Sequence, residues 1–510
     1  MRTGTVVALL LPLLTQLGTA SAESKVPEGW HPMGKGFCGT THATTSTGGA
    51  RLTSSHVLYV NRCSGGCTFT KGAVANAPQN VHAVQGVQAN VSIPEFANHA
   101  NQTGAAADEE WNAIMACIRE TESYYNIQVV DQRPATGSYH MASVGGFDEN
   151  LGFMSGNGQL LGISQLECGG IDNVISFSLA GESRLLTGNS SDYVRDVCKT
   201  VVHEAGHAFG LEHAMRWLDD ASSTCSDPMS YDTATCDPSP AYFRNRLASC
   251  GTSFGTGQDM PYNCLCGANN PHEKMLAVFG NGAPTVPPPT VAITTPAAGA
   301  LSNLVAVNAG SKRGIARVDL YLNGWKWGSV PGAKFIAGGG QLNPSPYAFQ
   351  LPASVPNGNY DIEVRAYDDL EVMGMATGTA VKGAPCADAS SCSKGQKCEA
   401  GKCFWDQPTA EIGESCTYNE FCLSNLCQGT NAEDAICTRT CIPGVLDSCP
   451  ADSGLECIQT AVGKGVCFTT ADEGGGCCSV DTADSSRTWL HGALSLGVVG
   501  LLVVRRRKRR

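Results

Sequence analysis

The chain has 510 residues, too many for one ordinary domain, so two to four are expected. At 42% hydrophobic it can fill real cores, which excludes a disordered chain. A formal net charge of −12 leaves no general basic surface for nucleic acid, and 25 cysteines point to an oxidising compartment.

The first residues, MRTGTVVALLLPLLTQLGTASAES, place Arg2 before an apolar run and a small-residue site at Ala20-Ser21-Ala22. This predicts a secretory signal peptide over 1–22, cut after Ala22, rather than a membrane span. Residues 23–55 are rich in Gly and Thr with little periodicity, and a propeptide or loose N-terminal segment is expected there. From His56, SHVLYVNRCSGGCTFTKG reads as two strands joined at a Gly-Gly turn, with Cys63 and Cys67 able to pair across it. In DEEWNAIMACIRETESYY, residues 108–125, Trp111, Ile114, Met115 and Ile118 fall at helical spacing and acids occupy the first turn. β-type runs follow at 126–130, 159–164 and 173–179, and then a helix at 193–209.

That helix ends in HEAGHAFGLEH, residues 203–213. At roughly 100° per residue His203 and His207 share one face, a turn apart, and both imidazoles reach one ion. Were the helix to continue, His213 would lie roughly 9 Å farther along the axis and roughly 120° round it. Zinc–nitrogen bonds are only about 2 Å. Gly210 can enter left-handed backbone, end the helix and bring His213 back. Three neutral imidazoles with an open fourth position suit catalytic zinc; the spacing alone leaves iron, cobalt and manganese open. Glu204, beside the first ligand, is placed to take a proton from water. Downstream lies CSDPMSYD (225–232), containing Met229, which Cys225 and Cys236 flank and could clamp.

HExxHxxGxxH followed by a turn containing Met resembles the metzincin clan of zinc endopeptidases. The resemblance implies an α+β catalytic domain over 56–281, with a mixed twisted sheet and long helices. It implies zinc held by His203, His207 and His213, Glu204 as general base, and Met229 as an apolar floor beneath the ligands. Met-Ser-Tyr looks like the serralysin and astacin form of the turn. That would place Tyr231 on zinc or on the oxyanion, with ordinary packing as its alternative. In that family an edge strand binds extended substrate by β-addition, and the run at 159–164 is the candidate. Eleven cysteines fall between Cys38 and Cys266, so at least one lacks a partner there. Some members of the clan are kept latent by a propeptide thiolate at the open zinc position. Cys38, in GKGFCGT, is the candidate here, although its surroundings do not match the matrix-metalloprotease switch sequence.

Cysteines 250, 264 and 266 are expected to staple a short lower half, and PTVPPPT within 282–290 reads as a stiff linker. Over 291–383, strand-like runs separated by turns such as Asn323-Gly324 resemble the immunoglobulin-like β-sandwich modules of secreted bacterial enzymes. Trp325 and Trp327 alternate on one of those strands; packing or plain surface aromatics are expected, with a carbohydrate platform the alternative. Twelve cysteines between Cys386 and Cys467, in part at repeated intervals, predict small disulfide-rich modules over 384–470 rather than metal sites.

Residues 471–510 combine Cys477 and Cys478, a polar spacer, a short apolar stretch and the terminal RRRKRR. The stretch is short for a span of roughly 20 residues. This end resembles the myxobacterial type of C-terminal sorting signal, implying removal of the helix and anchoring at the cell surface through a lipid on a cysteine. A plain, unprocessed transmembrane helix is the alternative.

The chain therefore reads as a secreted, surface-anchored zinc endopeptidase acting on protein or peptide. A non-catalytic adhesin on a degenerate protease scaffold would be expected to have lost Glu204 or a ligand. A gluzincin-type aminopeptidase would carry a glutamate where His213 stands. Calcium would suit the acidic body, but no EF-hand or Gly-Asp repeat supports it.

Overall fold

The computed structural model describes residues 30–33, 36–42, 55–153, 160–219, 221–230, 241–250, 264, 266, 269–296, 299–332, 344–429, 434–443, 448–461 and 464–469. The expected signal peptide and C-terminal sorting segment lie outside them, as do Tyr231 and Cys236. Among the described residues no helix is long and apolar enough to cross a membrane. The chain divides into two compact units, one running to Ala387 together with Ala400–Lys402, the other holding the remaining Cys-rich residues.

The first unit begins with a seven-stranded mixed sheet. Its strands are β1 (Trp30–Met33), β2 (Gly36–His42), β3 (Val57–Asn61), β7 (Gln128–Val130), β8 (His140–Val144), β9 (Leu160–Leu166) and β10 (Ile175–Ser178), in the order β1-β2-β9-β10-β8-β3-β7. A smaller sheet, β5-β4-β6, is built from β4 (Cys67–Lys71), β5 (Val81–His82) and β6 (Asn90–Ile93). The helices are α1 (Asp108–Glu122), α2 (Ala180–Leu186), α3 (Ser190–Ala208) and α4 (Pro271–Phe279).

Period-two alternation sorts the large sheet's side chains into two cores. Leu58, Val60, Ala142 and Val144 join Trp111, Ile114, Met115 and Ile118 of α1 and Val197, Val201 and Val202 of α3. Tyr59, Met141, Ile163, Ile175 and Phe177 face the other way and pack with Phe69, Val91 and Ile93 of the small sheet. Strands covered on both faces have no reason to alternate polar and apolar residues, and β8, β9 and β10 are buried at every position. A disulfide between Cys117 and Cys198 ties α1 to α3.

Three sequence expectations need correction. The Cys63–Cys67 disulfide forms, but the strands on either side of SGGC are not a hairpin: β3 lies in the large sheet and β4 in the small one. The segment 23–55, expected as a propeptide or loose N-terminal segment, is not loose throughout: Trp30–Met33 and Gly36–His42 form β1 and β2, an antiparallel pair. In consequence the run at 159–164 is no free edge, because β2 pairs in parallel along β9 while β10 pairs on its other side.

Beyond the site helix, Cys168–Cys266 and Cys250–Cys264 hold a short lower part, closed by α4. The Asn270 side chain caps α4 by accepting from the Glu273 N–H, and Gly280 at φ 75° ends it. A β-sandwich follows. One sheet is β11-β13-β16, from β11 (Thr290–Thr295), β13 (Leu304–Gly310) and β16 (Ser345–Gln350). The other is β12-β18-β17-β14-β15, from β12 (Gly299–Ala300), β14 (Arg317–Leu322), β15 (Trp325–Pro331), β17 (Gly358–Tyr367) and β18 (Met373–Lys382). Asn323 and Gly324, at φ 51° and 80°, make the tight turn of the β14–β15 hairpin as their sequence predicts. Trp327 packs against the sandwich core. In the second unit, Cys392–Cys403 and Cys416–Cys427 repeat the same separation of 11 residues, and Cys422–Cys437, Cys441–Cys457 and Cys449–Cys467 add further staples. Sulfur cross-links stand in for an apolar core there.

Candidate metal centre

The site is built on α3. Asn189 caps its start by accepting from the Asp192 N–H at 2.9 Å, and the apolar face formed by Val197, Val201, Val202 and Ala205 seats it on the sheet. The helix ends as the sequence requires. Gly210 takes φ 93°, its N–H reaches the His207 carbonyl, and the Leu211 N–H reaches that of Gly206, both at 2.9 Å. A Cβ on Gly210 would stand 3.0 Å from the Glu167 carbonyl oxygen and the Gly169 nitrogen, so both the dihedral and the space select glycine.

This turn brings the three predicted histidines together. His207 Nε2 lies 3.0 Å from His203 Nε2 and 2.9 Å from His213 Nε2, and all three side chains are buried. His203 Nδ1 contacts the Pro228 carbonyl at 2.8 Å and His207 Nδ1 that of Leu211 at 2.7 Å. A carbonyl only accepts, so both Nδ1 atoms carry the proton and both Nε2 atoms turn a lone pair inward. Facing acceptor nitrogens at this spacing repel unless a cation stands among them, and an all-imidazole set of three fits a zinc ion with a position left open. The donor set therefore fits the metal that the sequence suggests.

Glu204 is fully buried beside this cluster, under Gly162 of β9. The turn after the site meets α3 at Pro228, whose carbonyl His203 contacts, and at Met229. Met229 is wholly buried, and a Cβ on Gly206 would come within 2.6 Å of its sulfur, so the glycine in HEAGH is what lets the methionine approach the helix. The Ala214 N–H donates to the Met229 carbonyl at 2.8 Å, and Thr224 Oγ1 donates to the Ala214 carbonyl at 2.7 Å. These bonds stitch the turn to the chain just past His213.

Asp227 was not singled out by the sequence reading. Its two carboxylate oxygens accept the Met229 and Arg244 N–H groups, each at 2.8 Å, and shape the turn. Burial pushes its carboxyl up to about 6, against the pull of those two N–H donors. The available signal was an acid two residues before a buried turn methionine, the pattern of a side chain that folds back on its own backbone.

Residues 289–364 match the bacterial Ig domain family, which identifies the β-sandwich. No curated protein matches the sequence. Among solved structures, the fibronectin(III)-like modules of CbhA from Clostridium thermocellum are similar at 25% identity, over 19% of this chain and 45% of that one, with a TM-score of 0.13. The chain thus spans less than half of that structure. Wild-type OgpA from Akkermansia muciniphila is similar at 11% identity, over 56% of this chain and 91% of that one, with a TM-score of 0.17. Catalytically inactive OgpA in complex with an O-glycopeptide substrate is similar at 10% identity, over 54% and 70%, with a TM-score of 0.14.

Proposed function

We propose that the chain is a zinc-dependent endopeptidase, carried to the cell surface by its terminal signals, that hydrolyses protein or peptide substrates. The observation that supports this best is the buried convergence of three imidazole Nε2 atoms, 2.9 and 3.0 Å apart, next to a buried glutamate.

His203, His207 and His213 would hold the ion. When bound, zinc supplies Lewis acidity toward water and toward the scissile carbonyl. Glu204 accepts the proton of the attacking water at its carboxylate and returns it to the leaving amine. The Pro228 and Leu211 carbonyls keep His203 and His207 in the tautomer that presents Nε2. Met229, wholly buried against Gly206, would form the apolar floor of the site that the resemblance implies. Tyr231 is assigned to the oxyanion on the resemblance of Met-Ser-Tyr alone.

The separating experiment is Glu204→Gln in the full chain. Bound zinc should stay at the wild-type level, while peptide hydrolysis falls by about 10²–10⁴-fold, the usual contribution of general acid–base catalysis. Undiminished hydrolysis in that variant contradicts the mechanism.

A further inference from the structure

The Ig-like domain meets the turn at Ser226–Met229 through buried charges. Arg313, between β13 and β14, and Asp369, between β17 and β18, have side chains only 1% and 4% exposed. Arg313 donates from Nε and Nη2 to the two Asp369 oxygens, each at 2.7 Å, and Nη2 also reaches the Phe243 carbonyl at 2.9 Å. Its guanidinium lies over the rings of Tyr124 and Tyr242, 4.6 and 5.2 Å from their centroids. Arg244, equally buried, donates Nη1 to the Arg313 carbonyl and stands 3.6 Å from Asp369. The Arg244 N–H then donates to Asp227, Asp227 holds the Met229 N–H, and Pro228 between them gives its carbonyl to His203.

A hydrogen-bonded path thus runs from Asp369 to a histidine of the metal centre. Joining two domains does not require it. Charges this deep cost more than they return unless their geometry is fixed, and well-packed apolar residues would join the domains as firmly. A neighbouring link, Lys312 to Glu120 at 2.7 Å, is partly exposed, at 39% and 20%, and reaches the turn at one remove, since Glu120 accepts from the Tyr242 hydroxyl and the Tyr242 N–H donates to the Ser226 carbonyl. What the buried path fixes is the backbone from Ser226 to Met229: Arg244 also donates from Nε to the Ser226 carbonyl.

We infer that the Ig-like domain is a positioning element of the metal centre: Asp369 and Arg313 hold, through Arg244 and Asp227, the turn that orients His203. This rests on the metal-binding reading above. Asp369 and Arg313 are positioning residues, since neither touches the site itself.

The test uses the full chain and zinc or cobalt alone, with three readouts: metal affinity by chelator competition, the visible absorption of bound cobalt, and thermal unfolding of the metal-free protein. Asp369→Asn keeps the shape and removes the charge. It should weaken zinc about 10–100-fold, the range for residues that orient ligands, and alter the cobalt spectrum. Lys312→Ala should leave both at wild-type values. If Asp369→Asn does not fold, Arg244→Lys carries the same expectation. Wild-type affinity and spectrum in the Asp369 or Arg244 variant, with only a lower melting temperature, overturn the inference. A wild-type chain that binds neither metal overturns the metal-binding reading itself and the inference with it.

Discussion

Gly162 stands directly over Glu204: a Cβ built on the glycine would come within 2.6 Å of Oε1 and 2.7 Å of Cγ. The strand β9 therefore passes the proposed base with only backbone between them, and a hydrogen is the largest group tolerated. Gly162→Ala is expected to push the Glu204 carboxylate off line while leaving the three histidines alone. Hydrolysis should fall about tenfold or more, ~1.4 kcal/mol of barrier, with zinc content unchanged. Loss of zinc in step with activity would contradict this assignment of Gly162.

The same strand is covered by the chain's own N-terminal part. β2 pairs in parallel with β9, and the register sets Cys38 opposite Gly162 and Thr40 opposite Ser164. A substrate adding to the sheet there needs the backbone groups that β2 already uses. Cutting the chain at a cleavage site introduced among residues 43–54, and washing away what precedes it, should raise peptide hydrolysis about tenfold or more. Cys38→Ser in the uncut chain measures the share owed to the thiol. Equal activity before and after the cut contradicts the covering role of β2.

Glu122, at the end of α1, is buried, and among the described residues neither carboxylate oxygen has a hydrogen-bond partner. Burial pushes its carboxyl from 4.5 up to about 8, so the folded protein keeps it neutral where the unfolded chain ionises it. The sign follows. The stability tied to this group is fully present below pH 4.5 and is lost as pH rises toward 8. Glu122→Met, of similar volume, should melt roughly 5–10 °C above wild type at pH 8–9 and show no comparable gain at pH 4. A difference independent of pH would contradict the buried neutral acid.

Much of the site was legible because it is local. HExxH spacing, a glycine at position 210 and the return of His213 all follow from helix geometry, and the structure brings those histidines together. The Asn323-Gly324 hairpin was legible for the same reason. What escaped was non-local. HMASV shows no alternation because both faces of β8 are covered, by helices on one side and the small sheet on the other. The two strands around SGGC look like a hairpin in sequence, yet their partners lie far along the chain. Gly36–His42 carries no strand pattern of its own, and its partner β9 supplies the pairing. Nothing local in the sequence marks Arg244, Arg313 and Asp369, since burial of an ion pair is decided only when two domains meet.

The most direct test of the central claim is metal content, by plasma mass spectrometry, on the purified wild-type chain beside His207→Ala. The same samples are assayed on a quenched protein substrate with and without chelator. The account predicts close to one zinc per wild-type chain, lost in the variant together with chelator-sensitive hydrolysis. A well-folded wild-type chain carrying no metal would contradict it.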